Sequence, residues 1–363
     1  MSTISMKKAL IPVILVLVGF SSQAQQFTVI GKVIDSATRT ALVGASAFCP
    51  NTTYGSISNN DGIFYLKLPA GGYDLTVSYT GYERKLVRIS NNQTNPDTLI
   101  FELPKQDKTM TEVAVVASNE VPDGWNKYGK FFVDNFIGTS PNAKTCVLKN
   151  PEALKFYYTK KRNRLKVTTK EDLIIENPSL GYTIRYQLDS FSYDYNNNIS
   201  QFTGYPLFTE TDTTPEVKKK YVINRARTYL GSRLHFMRSL YNSLVSEQGF
   251  IVEKLPDDPR SNEGTILTDL YNPEDYTNDS GDVVVNWAGR YRVSYKSVFP
   301  DKTYLEEFKM PSNLRYQITV LDIADGFVVE RNGYFYEQYE VVNNGYWAWK
   351  KLGEAIPYDY VYQ

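Results

Sequence analysis

One histidine, two cysteines and no surplus of either charge exclude several kinds of chemistry from this chain of 363 residues. Zinc peptidase chemistry on the known pattern needs a His and a Glu close together, a distant His and an open position on the metal. His235 has no second imidazole to join it. It also lacks a triad setting: the chain has no Gly-x-Ser-x-Gly turn, and its helical neighbours are Arg238, Ser239 and Asn242. An exposed or hydrogen-bonded surface role is expected for it. Cys49 and Cys146 cannot build a structural zinc site without histidine partners, and neither has a histidine in its own segment to activate it. Two buried free thiols are favoured over a bridge between domains. Lys+Arg equals Asp+Glu at 40 each, so no global field draws nucleic acid or an anionic membrane. There is no glycine-rich phosphate loop. Beyond the start of the chain no run approaches the length of a membrane-spanning helix.

What is present begins with a targeting pattern. Lys7 and Lys8 precede an apolar run over residues 9–20, and Ser22-Gln23-Ala24 supplies small residues at the cleavage positions. Residues 1–24 are therefore expected to be a signal peptide. No cysteine follows to carry a lipid, and the mature chain is expected in the periplasm or associated with the outer membrane. The remaining 339 residues (363 − 24) exceed one ordinary core, and two domains are the natural number.

Residues 25–104 read as the first domain. Val29, Gly31 and Val33 alternate with Thr28, Ile30 and Lys32, as in a half-buried strand. Segments 42–50, 54–58, 63–68, 73–79, 85–89 and 98–103 repeat the pattern, and turn residues punctuate them: Asn59-Asn60-Asp61-Gly62, Ala70-Gly71-Gly72 and Thr80-Gly81-Tyr82. Seven short strands at this spacing predict a β-sandwich.

The same residues carry a resemblance. Gly31-Lys32-Val33, Leu42-Val43-Gly44-Ala45, the run from Gly55 to Phe64, Leu68-Pro69-Ala70-Gly71-Gly72-Tyr73 and Gly81-Tyr82 follow one another in order. This stretch resembles the carboxypeptidase regulatory-like domain family, a transthyretin-like (Ig-like) sandwich found in Gram-negative envelope proteins. Asn59 stands where that family more often has aspartate. The resemblance implies a scaffold like those behind metallocarboxypeptidase catalytic domains or ahead of TonB-dependent transporter plugs. It transfers no catalytic residue. Residues 110–117, MTEVAVVA, are similar to the segment that follows this module in transporter-type proteins; a further edge or linker strand is the plainer reading.

Residues 105–122 read as a linker, and 123–363 as a larger, mainly β domain with a few helices. Trp125, Tyr128, Phe131, Phe132, Val133 and Phe136 recur at helical spacing before Gly138. Strands are expected at 165–169, 173–176, 182–195 and 199–205. Helices are expected at 217–230 and from Ser232, as cap, through Gln248, with Arg233, Arg238 and Asn242 facing water. Strands return at 283–285, 291–299, 318–320, 327–330 and 334–342.

The adjacent acids Glu171-Asp172, Asp257-Asp258, Glu274-Asp275 and Glu306-Glu307 fall on loops where acids are normally solvated. Asn278-Asp279-Ser280-Gly281-Asp282 lacks the closing glutamate of a calcium loop and reads as a turn. No catalytic, cofactor-binding or metal residue is assigned, and no cofactor is expected. Among 29 tyrosines, the clusters Tyr157-Tyr158, Tyr334, Tyr336, Tyr339 and Tyr346, Trp347, Trp349 are the candidates for a partner-binding face. The expected function is that of a non-enzymatic envelope scaffold, presenting a recognition domain to a protein or glycan. The alternatives are a hydrolase of peptides or polysaccharides using carboxylates of the second domain, and an accessory part of TonB-dependent uptake.

Overall fold

The structure is a computed structural model that describes residues 26–91, 98–106, 119–258, 260–261, 263–279, 281–336 and 338–362. The expected signal peptide and the segment 110–117 lie outside the described residues. The fold is mainly β and gathers around three hydrophobic clusters.

The first cluster fills a sandwich of β1 (Gln26–Asp35), β2 (Ser46–Phe48), β3 (Gly55–Ile57), β4 (Ile63–Pro69), β5 (Gly72–Ser78), β6 (Lys85–Ser90) and β7 (Leu99–Leu103). One sheet runs β4-β1-β7, the other β3-β2-β5-β6. Val33, Phe64, Leu68, Leu75 and Val77 point between them and are buried. Each such side chain removed from water is worth about 1.5–3 kcal/mol. The turn residues have specific tasks. Asn59 Oδ1 accepts from Asp61 N at 3.0 Å and Ile63 N at 2.9 Å, so the amide does what an aspartate would do there. Gly62 takes φ +75°, and a Cβ on it would sit 2.5 Å from Val33 O. Asp35 Oδ1 accepts from Ala37 N and Thr38 N, while Tyr82 Oη donates to Asp35 Oδ2, all at 2.8 Å. Led by the Thr38 N–H and then the Tyr82 hydroxyl, these donors hold the Asp35 carboxyl at about 2.

The second cluster lies between the helix Gly124–Phe136 and a sheet of β8 (Val147–Leu148), β9 (Leu154–Thr159), β10 (Arg164–Thr169), β11 (Leu173–Asn177), β12 (Tyr182–Asp194) and β13 (Ile199–Glu210). Phe132 and Phe136 of the helix are buried, and Phe136 meets the ring of Tyr186 edge-on. Tyr182, Ile184, Tyr186 and Leu188 face this core, as their alternation predicts. A register shift between Leu188 and Ser190 then inserts one residue, so inward pointing passes to the odd-numbered Phe191. Glu120 already bridges Tyr157, so the chain joins this sheet before the helix begins.

The third cluster is built on a five-stranded sheet and a three-stranded one. These comprise β14 (Phe250–Lys254), β15 (Thr265–Ile266), β16 (Tyr276–Asp279), β17 (Asp282–Val285), β18 (Gly289–Tyr295), β19 (Gln317–Ile323), β20 (Phe327–Val329) and β21 (Val341–Gly345). Their orders are β15-β14-β18-β19-β21 and β16-β17-β20. The second helix, Pro215–Tyr229, and a third, Arg233–Tyr241, lead into this part of the chain. Ser232 Oγ caps the third by accepting from His235 N at 3.1 Å. That helix stops at Tyr241, short of the expected Gln248. Ser243 turns left-handed at φ 56°, which swings Val245 into the core and leaves Leu244 at the surface.

The sandwich is bonded directly to the middle sheet. Thr52 forms a parallel bridge with Leu207; Asn51 N donates to Pro206 O at 2.7 Å, and Phe208 N donates to Thr52 O at 2.9 Å. The segment after residue 355 seals the same joint: Tyr358 N donates to Asn51 O at 2.7 Å and Thr53 N to Asp359 Oδ1 at 2.9 Å. Arg238 does not face water, as its helical position predicts. Instead its guanidinium donates to the carbonyls of Asn332, Tyr358 and Tyr360 at 3.0, 2.8 and 2.8 Å, holding that segment down. No helix among the described residues is long and apolar enough to cross a membrane.

Candidate functional site

A cleft of about 870 Å³ opens where the three clusters meet. The sandwich contributes Tyr73, Asp74 and Arg88, the middle sheet Tyr186, Phe202 and Tyr205, and the last part Arg233, Glu330, Tyr334, Tyr336 and Trp347. Its volume lies in the upper range of small-molecule sites.

Arg88 is the hub of one wall. On β6 it alternates outward from the sandwich core, and it reaches Asp74 on the neighbouring strand at 3.2 Å. Its other nitrogen pairs with Glu330, just beyond β20, whose side chain is 7% exposed. Tyr334 Oη donates to Asp74 Oδ2 at 3.1 Å and Tyr336 Oη to Glu330 Oε1 at 2.5 Å. The guanidinium carbon lies 5.8 and 5.3 Å from the two ring centroids. Burial, with Asp74 alongside, pushes the Tyr334 phenol up. Both carboxylates are thus committed to one cation and two phenols.

Three further cations, Arg233, Lys350 and Lys351, line the cleft. Among the described residues no carboxylate lies within ion-pair distance of Arg233, Lys350 or Lys351. Arg233 lies over the Phe335 ring at 5.3 Å, Lys350 over Tyr346 at 5.2 Å, and Lys351 Nζ donates to Ser200 Oγ at 3.2 Å. Burial lowers both lysines, with Glu354 and Asp301 pulling Lys350 back up and Glu307 doing so for Lys351. Glu354 itself accepts from Ser140, Asn142 and Thr228.

The structure divides the tyrosine and tryptophan candidates. Tyr334 and Tyr336 line the cleft and are half-buried. The side chain of Tyr339 lies outside the described residues. Tyr346, Trp347 and Trp349 are 3%, 8% and 5% exposed and belong to the third core. Trp349 Nε1 donates to Thr139 and Glu307, and Trp347 Nε1 donates to Gly231 O at 2.7 Å. These three rings are packed into one core and do not form an open face; Trp347 alone of them also borders the cleft. Tyr157 is likewise buried.

His235 also differs from expectation. It is 3% exposed, accepts at Nδ1 from Gly231 N at 3.2 Å and donates from Nε2 to Gln248 Oε1 at 3.0 Å. Burial lowers its basicity, and it is a neutral core residue. Cys49 and Cys146 are free; Cys49 is buried, Cys146 half-buried, and burial pushes the Cys146 thiol up to about 12. The adjacent acids sit away from the cleft: Asp172 pairs with Arg185, Asp258 with Arg260, and Glu307 takes Trp349. The described residues hold no group of three or more metal-ligating side chains.

Arg88, Asp74, Glu330 and the two lysines were not singled out by sequence reasoning. Lys350-Lys351 beside Trp349 is a local signal that could have pointed toward the two lysines. The contacts of Arg88 with Glu330 span 242 positions and leave no local trace.

Residues 29–115 match the family model of the CarboxypepD_reg-like domain. No curated protein matches the chain. Among solved structures, a DUF3823 family protein from Parabacteroides merdae is similar at 12% identity and TM-score 0.18, covering 54% of this chain and 85% of its own. Another from Bacteroides ovatus is similar at 11% identity and TM-score 0.17, covering 52% and 83%.

Proposed function

We propose that this is a non-catalytic binding protein of the cell envelope, in which the N-terminal sandwich helps to wall a ligand site. The partner, a protein segment or a glycan, occupies the cleft between the sandwich and the rest of the chain. One observation carries this reading: a large cleft mixes aromatic rings with cations that form no ion pair among the described residues, while its acids are engaged elsewhere, Asp74 and Glu330 by Arg88, Asp189 by Arg84, and Glu354 by Ser140, Asn142 and Thr228. Rings supply broad contact area at low entropy cost, and the cations supply orientation. Hydrolysis by two carboxylates needs one of them to meet the leaving group as an acid and the other to face the reacting carbon. Asp74 and Glu330 instead face the same guanidinium. Export rests on residues 1–24, whose charge, apolar run and cleavage pattern favour it.

The test uses the full mature chain as bait on solubilised envelope fractions, beside an Arg233→Glu variant. Capture by the first and its loss in the second supports the reading. Release of shortened peptide or sugar from the captured material would replace it with the hydrolase alternative.

A further inference from the structure

We infer that the open edge of β13 docks an extended peptide bearing a carboxylate, which joins the sheet as an added strand. This deepens the proposed cleft-binding function and rests on it. β13 pairs with β12 along one side only. Its other side is used at one end by the chain itself, through the Thr52–Leu207 bridge and the bonds from Asn51 N to Pro206 O and from Phe208 N to Thr52 O. Backbone groups alternate in direction along a strand, so those of Ser200, Phe202 and Gly204 point the same way as Pro206 O and Phe208 N. Among the described residues no other strand pairs with that stretch, and Ser200, Phe202 and Gly204 all line the cleft.

The open row runs about 13 Å at ~3.3 Å per residue, room for a four- to five-residue strand. Loop residues 51–52 already demonstrate that this edge accepts a parallel neighbour. Bare edges of this kind recruit extended peptides by main-chain hydrogen bonds. The charge fits too. Lys351 Nζ stands 3.2 Å from Ser200 Oγ at the far end of the row, and Lys350 precedes it in the same wall. A carboxylate placed there pairs with an ammonium whose hydrogen bond is to a hydroxyl and which, among the described residues, has no carboxylate within ion-pair distance, Glu307 acting on it only from farther away. A saccharide would use the rings of the cleft and leave the backbone row unpaired, which favours the peptide.

The probe is a fluorescein-labelled octapeptide alternating threonine and valine and ending in glutamate. Amidated and lysine-ended versions separate a terminal from a side-chain carboxylate. Binding to the full mature chain is read by anisotropy, and site occupancy by amide exchange at Ser200, Phe202 and Gly204. The acidic probe is expected to slow those amides, and Lys351→Glu to weaken it about tenfold, a loss of about 1.4 kcal/mol. Lys351→Met, which keeps the stem, should weaken it less. Equal binding to wild type and Lys351→Glu, or unchanged exchange along β13, overturns the inference. If an acidic oligosaccharide protects cleft amides and no peptide does, the peptide inference fails while the cleft reading stands. If neither protects them, both fail.

Discussion

Replacing Arg88 by methionine keeps the bulk of its stem and removes the cation that ties the sandwich to the last part of the chain. Glu330, with a side chain 7% exposed, is then left with Tyr336 as its partner, and Asp74 with Tyr334. Breaking a fully buried ion pair costs about 3–5 kcal/mol, whereas surface pairs contribute about 0–1 kcal/mol. Arg88 is 29% exposed, so the cost falls between these limits, at about 2 kcal/mol. The asymmetry of the pair gives the sharper expectation. In the double variant Arg88→Met/Glu330→Gln the more buried charge is no longer stranded and only the more exposed Asp74 loses its cation, so the pair should be less damaging than the sum, with a coupling of about 1–2 kcal/mol. Urea unfolding at neutral pH, followed by tryptophan fluorescence and by backbone circular dichroism, supplies both numbers. If Arg88→Met costs less than about 0.5 kcal/mol, or the two changes simply add, Arg88 does not latch the sandwich to the last part of the chain.

Three further outcomes rest on individual contacts. Arg238→Lys can keep one of three carbonyl acceptors, so stability should fall by about 2 kcal/mol and amide exchange should speed up across residues 357–362. His235 titrates below its ordinary 6.5 in the fold, so the unfolded chain takes the proton first; stability should be lost as pH drops below about 6.5, and His235→Gln should flatten that part of the profile in thermal melts. Gly62→Ala sets a Cβ 2.5 Å from Val33 O at φ +75°, and should cost about 1–3 kcal/mol in urea unfolding, more than the same change at Gly44, where nothing lies within 4 Å.

The N-terminal sandwich was legible because its signals are local. All seven strands lie where alternation and turn residues put them, and the Asn59–Gly62 turn is held by its own backbone. The long hairpin of β12 and β13 was legible for the same reason. Short strands such as β8 and β15 were not, since two residues carry no periodicity. The third helix stops early because a single left-handed residue, Ser243, overrides an apolar spacing that continues past it. At the site, Tyr334 and Tyr336 were visible as aromatic residues, but Tyr346, Trp347 and Trp349 were visible in the same way and are core. Composition cannot separate a ring packed inside a core from one that faces a ligand. Arg88, Glu330 and Lys351 become a site only when distant strands meet.

The most direct measurement blocks the cleft. Leu86 lines it and is 47% exposed, so Leu86→Cys in a Cys146→Ser background offers one accessible thiol, with Cys49 buried. Labelling that thiol with a bulky maleimide should abolish ligand capture from envelope fractions while leaving the melting temperature within a few degrees of the unlabelled protein. Undiminished capture after complete labelling would mean that the ligand binds somewhere else.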